Sequence, residues 1–161
     1  MTVTLDATFV DPQRMRVEAT TDGGHQLAFD VGPPDGESSA ADPIDAVLAA
    51  LAGCTSMDVA SILRKKRQRA THYALHLTGE RAADHPRIYT RIVVEHRVEG
   101  DVTAEALRRS IELSATRYCP VNAMLSASAE VEHRYRLDAD GAAGTSEQVV
   151  VTGPGRSAPP G

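Results

Sequence analysis

A chain of 161 residues is long enough to bury one hydrophobic core without help from disulfides or metals. Its formal charge of −5 excludes the basic stripe that nucleic acid requires, so no such partner is expected. The first ten residues alternate polar and apolar and include Asp6, unlike a signal peptide, and the longest apolar run, residues 46–54, is too short for a bilayer; the expected setting is the cytoplasm, with no membrane partner.

Three alternating segments open the chain. Val3, Leu5, Ala7 and Phe9 share one face, Met15, Val17 and Ala19 a second, and Leu27, Phe29 and Val31 a third. This period of two predicts half-buried strands, and Asp11-Pro12-Gln13 and Asp22-Gly23-Gly24 supply turns for a three-stranded meander. A loop over residues 32–41 leads to a helix start, with Asp42 as N-cap, Pro43 at the first helical position and Asp45 in the first turn. Ile44, Val47, Leu48, Leu51, Val59, Ile62 and Leu63 carry that helix to about Arg67. Its middle, Ala49-Ala50-Leu51-Ala52-Gly53-Cys54, is small or apolar nearly all round, which fits burial on several sides. The basic run Arg64-Lys65-Lys66-Arg67 falls at the helix end, where cations oppose the dipole.

Two strands follow, one carrying Tyr73, Leu75 and Leu77 inward and one carrying Ile88, Ile92, Val94 and Val98. A second helix starts near Thr103 and buries Leu107, Ile111 and Ala115. Tyr118-Cys119-Pro120 interrupts it, and Val121, Met124 and Leu125 predict a further short helix. Val131, His133, Tyr135 and Leu137 make the last clear strand. The order βββ-α-ββ-αα-β predicts one α+β domain over residues 1–138, with helices on antiparallel sheet. Residues 139–161, rich in Gly, Ala, Ser and Pro, read as a disordered tail in which 148–152 could form an edge strand.

The two cysteines, 65 positions apart, are either small core residues or a thiol pair that cycles. Cys119 precedes Pro120, which places it at a helix N-cap, and Arg117 lies two residues before it. Cys54 sits in mid-helix, its backbone amides already used, with Asp58 on the same face. Local physics therefore predicts Cys119 as the more acidic thiol.

The stretch from Pro43 through Cys54 to Arg67 resembles the central helix of the OsmC/Ohr family (osmotically inducible protein C / organic hydroperoxide resistance). Gly79-Glu80-Arg81, His85-Pro86 and Tyr89-Thr90 are similar to the segment that follows in its YhfA-like branch, and residues 114–125, with Tyr118-Cys119-Pro120-Val121, to its second-cysteine motif. The resemblance spans residues 3–137. It implies an intertwined homodimer, with antiparallel sheets, a long buried central helix and active sites at the subunit boundary. It also implies a thiol peroxidase that reduces organic hydroperoxides in oxidative stress defence. Cys54 would attack the peroxide, Cys119 would resolve the sulfenic acid as a disulfide, and an external dithiol would reduce it, with no cofactor or metal.

The family organises the attacking sulfur with an arginine from the N-terminal strands and a glutamate directly after the helix-starting proline. Arg16 is the better candidate for the arginine and Arg14 the poorer. This chain departs from the pattern at the acid: Ile44 follows Pro43, and Asp45 comes one place later, about 100° further round the helix and with a shorter side chain. Asp45 also suits ordinary charge in a first turn. The departure leaves a second reading, a catalytically weak or inactive dimer that binds a small apolar ligand or senses thiol oxidation.

Of the six histidines, His72 and His76 fall on the wetter face of a predicted strand, about 13 Å apart, too far for one ion. No phosphate-binding loop, dinucleotide fingerprint or nucleophile elbow is present.

Overall fold

A computed structural model of the chain describes residues 1–11, 13, 15–31, 37–138 and 144–155. Its contacts group the chain into two compact units, Met1–Ala49 and Ala50–Gly161.

The first unit contains the expected meander, β1 (Leu5–Asp11), β2 (Arg16–Thr21) and β3 (Gln26–Phe29), antiparallel and in that order. Gly24, at φ 79°, takes the left-handed conformation that the tight turn between β2 and β3 requires. Register aligns Phe9, Val17 and Phe29 in one row and Ala7, Ala19 and Leu27 in the next, so the apolar residues share a face. Much of that face is open, with Phe9 54% and Leu27 46% exposed. Asp42 caps the following helix as expected: its Oδ1 accepts the Ile44 N–H at 2.8 Å and its carbonyl accepts from Ala46. Pro12, Arg14 and residues 32–36 lie outside the described residues.

Helix α1 runs Pro43–Lys65, and Arg67 beyond it turns left-handed at φ 58°. Its 18-residue window of mean hydropathy 1.8 meets the length and composition of a bilayer span, which the run of residues 46–54 had not suggested. The longer window explains the difference, because Thr55, Ser56, Asp58 and Ser61 interrupt the apolar run without offsetting the Ala, Leu, Val and Ile around them. In the second unit Leu51, Thr55, Val59 and Leu63 form its buried stripe, the arrangement of a core helix.

The second unit is a four-stranded sheet, β4 (Arg69–Arg81), β5 (Tyr89–Asp101), β6 (Glu130–Asp138) and β7 (Glu147–Thr152), paired in that order. β4–β5 and β6–β7 are antiparallel, whereas β5–β6 is parallel. The parallel pair follows from its connection, a crossover through α2 (Ala104–Leu113), a π-helical turn (Ser114–Tyr118) and α3 (Pro120–Leu125). Thr103 caps α2 by accepting the Ala106 N–H. The core is built from Val59 and Leu63 of α1, Val98 and Tyr135 of the sheet, and Ala106, Leu107 and Ile111 of α2. β7 is the edge strand that the tail could add at residues 148–152, one residue longer at its start. Its antiparallel pairing with β6 supplies the strand's hydrogen bonds. Residues 139–143 and 156–161 lie outside the described residues.

Candidate active site

α1 carries Cys54 half-buried, and Cys119 is buried at the N-cap of α3. The π-helical turn ends where the Cys119 N–H reaches back to the Ser114 carbonyl at 2.9 Å. Cys119 then extends (ψ 105°), and Pro120 starts the next helix. In place of an oxygen cap, the Cys119 sulfur accepts the Asn122 N–H at 3.3 Å. The Cys54 sulfur, the Cys119 sulfur and an oxygen of Asp58 all lie within 4.8 Å of one another. Two thiols 65 positions apart thus meet inside the second unit, one turn of α1 from a carboxylate.

The expectation that its cap makes Cys119 an acidic thiol is overturned. Burial, and the hydrogen bond that its protonated form makes with the neighbouring Cys54, push its thiol up to about 12, against the pull of the Asn122 and Val121 N–H groups. The cap forms as expected, but α3 has only six residues and its end is dry, so desolvation wins. Arg117 gives no help there: it is exposed, its guanidinium 5.7 Å from the centre of the Tyr118 ring.

Asp58 is held from one side. Ser114 has a single hydroxyl hydrogen and donates it to Asp58 Oδ2 at 3.1 Å, so Thr55, 3.0 Å from Ser114 Oγ, donates in turn. Asp58 also lines a cavity of about 380 Å³ with Ser61, Ile62, Lys65, Lys66, Leu113 and Tyr118. The cavity therefore touches the thiol site at Asp58. Its apolar wall is Ile62, Leu113 and Tyr118, and two residues of the basic run, Lys65 and Lys66, stand in its lining.

Arg16 and Asp45 belong to the first unit. The Arg16 guanidinium bonds Glu18 at 2.9 Å and Ser39 Oγ at 2.6 Å, and Asp45 is exposed in the first turn of α1. His72 and His76 lie exposed on β4, as expected. Among the described residues, the grouped donors that could take a metal are Cys54, Asp58 and Cys119. This set of two thiols and a carboxylate leaves a fourth tetrahedral position without a protein ligand among the described residues.

The family model of OsmC-like proteins matches residues 36–134. The chain belongs to the OsmC-like family. Protein YhfA of Escherichia coli (strain K12) is 38% identical to it over 115 residues, which cover 71% of this chain and 84% of YhfA. The structure of an OsmC like protein from Mycoplasma pneumoniae superposes with a TM-score of 0.73 at 16% identity, covering 85% of this chain and 97% of that one. An organic hydroperoxide resistance protein OsmC from Legionella pneumophila gives 0.62 at 14% identity, with 84% and 96% covered. At such identities the two structures share the fold with this chain.

Within this OsmC-like fold the sequence reading missed a buried row of polar side chains behind Cys119. Tyr73 Oη lies 2.7 Å from His96 Nδ1, His96 Nε2 lies 3.2 Å from His133 Nδ1, and His133 Nε2 lies 3.0 Å from Asn122 Oδ1. The Asn122 amide nitrogen donates to the Ala115 carbonyl at 2.7 Å and to Thr152 Oγ1 at 3.1 Å. His96, His133 and Asn122 are fully buried. The signal was available: both histidines sit in phase with the apolar residues of their strands, where an ordinary surface histidine would not be.

Proposed function

We propose that this OsmC-like protein is a homodimeric thiol peroxidase that reduces organic hydroperoxides in the cytoplasm. The single observation that carries the reading is the convergence of Cys54 and Cys119 to within 4.8 Å. The half-buried Cys54, as thiolate, attacks the terminal peroxide oxygen. The O–O bond breaks, the alkoxide leaves and takes a proton as alcohol, and Cys54 becomes a sulfenic acid. Cys119 then attacks that sulfur, water leaves, and a Cys54–Cys119 disulfide forms. An external dithiol reduces it by exchange, becoming a disulfide itself.

Burial suits Cys119 to the second step, since a thiol kept protonated at rest is not consumed by peroxide directly. The cavity at Asp58 supplies an approach whose apolar wall fits an organic peroxide. A thiolate that must form beside the Asp58 carboxylate calls for a compensating cation. The dimer is supported by apolar surface left open on α1: Ala49, Ala50, Met57 and Ala60 are exposed, and nothing lies within 4 Å of the place where a Gly53 Cβ would stand.

Treating the reduced protein with cumene hydroperoxide and mapping its disulfides by mass spectrometry tests the proposal. Rapid formation of one Cys54–Cys119 link within a subunit, abolished in Cys54→Ser, is the expected result. Slow, unselective oxidation at high peroxide would overturn turnover and favour the reading as a ligand-binding or thiol-sensing dimer.

A further inference from the structure

With both imidazoles neutral, the buried row behind Cys119 has one consistent arrangement of hydrogens. The Ala115 carbonyl can only accept, so the Asn122 amide must point its NH2 there and its Oδ1 toward His133. Oδ1 accepts, so His133 carries hydrogen on Nε2, and its Nδ1 is left bare to accept from His96 Nε2. His96 Nδ1 is then bare in turn, and the Tyr73 hydroxyl donates to it. Every junction holds one hydrogen and all bonds run the same way, Tyr73 to His96 to His133 to Asn122. Both imidazoles are neutral in this arrangement, in keeping with burial, which pushes each ring's pKa down.

The row ends where the chemistry begins. Asn122 is the third residue of α3 counted from its cap, and its backbone N–H is the donor on the Cys119 sulfur. Its side chain is tied to three separate elements: the π-helical turn through Ala115, β7 through Thr152 and β6 through His133. No water reaches it to stand in for a lost partner. An amide does not relay protons as imidazole does, so the row fixes a position and does not carry a proton to the thiol.

We propose that Tyr73, His96, His133 and Asn122 are positioning residues for Cys119, a one-way hydrogen-bonded strut that holds its sulfur within bonding reach of Cys54. The name resolving thiol rests on the function proposed above; the strut itself does not. Its signature is therefore thermodynamic: by holding the sulfurs together it favours the disulfide over the dithiol.

The test is the redox equilibrium of the full-length protein against reduced and oxidised dithiothreitol, with free thiols counted after acid quenching. His133→Leu is expected to shift the equilibrium toward the dithiol by roughly tenfold, about 30 mV for this two-electron couple. His133→Gln, which keeps an amide donor for Asn122 Oδ1, is expected to undo most of that shift. A network that only stabilises the core would lower the melting temperature of both redox forms alike and leave the equilibrium where it was; that result, or a shift toward the disulfide, overturns the proposal. Should His133→Leu fail to fold, Tyr73→Phe at the half-buried end decides, with a shift of roughly threefold in the same direction expected and none overturning it. Because any oxidant can form the bond, wild-type protein that shows this equilibrium yet ignores cumene hydroperoxide would sink the peroxidase reading alone.

Discussion

His96 and His133 touch no solvent, and their place in a one-way row leaves each ring a single hydrogen. Burial pushes the His133 pKa down to about 4 and that of His96 well below its usual value, whereas both titrate near 6.5 once the chain unfolds. Between those limits the unfolded chain takes up protons that the native one refuses. Stability is then full above about pH 6.5 and declines as pH falls, by about 3 kcal/mol at pH 4 from His133 alone. Urea midpoints are expected to fall between pH 7 and pH 5, with a shallower slope in His133→Gln. At this scale the sequence was only partly legible. It named Cys54, Cys119 and Asp58 and placed a cap at Cys119, but the acidity of a capped thiol depends on how dry the cap is, which only packing decides. Ser114, Thr55 and Asn122 looked ordinary because their partners arrive from other elements.

The elements themselves were written in local patterns. Period-two alternation gave β1 to β6, while Asp42 and Thr103 marked helix starts that the structure caps as expected. Pairing was less visible: no local pattern says that β6 lies parallel to β5 or that residues 147–152 complete the sheet, since both depend on where the crossover returns the chain. One glycine sits at the irregular, open end of the long β4–β5 hairpin. Gly100 sits at φ 115°, opposite Ala70, and a Cβ there would come 2.4 Å from the Arg69 carbonyl oxygen and 2.7 Å from the Thr71 nitrogen. Backbone atoms on both sides cannot give way as a flexible side chain would. Gly100→Ala is expected to cost about 2 kcal/mol or more, read as a lower urea midpoint with unchanged slope.

For the molecule as a whole, the open apolar surface matters most. Met57 is 74% exposed on a helix otherwise apolar enough to span a membrane, and Phe9 and Leu27 stand half-exposed on the first sheet. A second copy of the chain would cover such surface. Light scattering is expected to return twice the 17.2 kDa chain mass, and Met57→Glu, which places a charge on that helix face, to return the single chain. The meeting of Cys54 with Cys119 has a consequence of its own. A covalent link between them would close a ring through half of α1, the β4–β5 hairpin and all of α2, denying the unfolded chain freedom worth about 4 kcal/mol. The cycle works in both directions, so whatever loosens the fold also loosens the bond. Heat and reductant then become interchangeable currencies: a warmed, oxidised molecule surrenders its disulfide to a weaker donor than a cool one does.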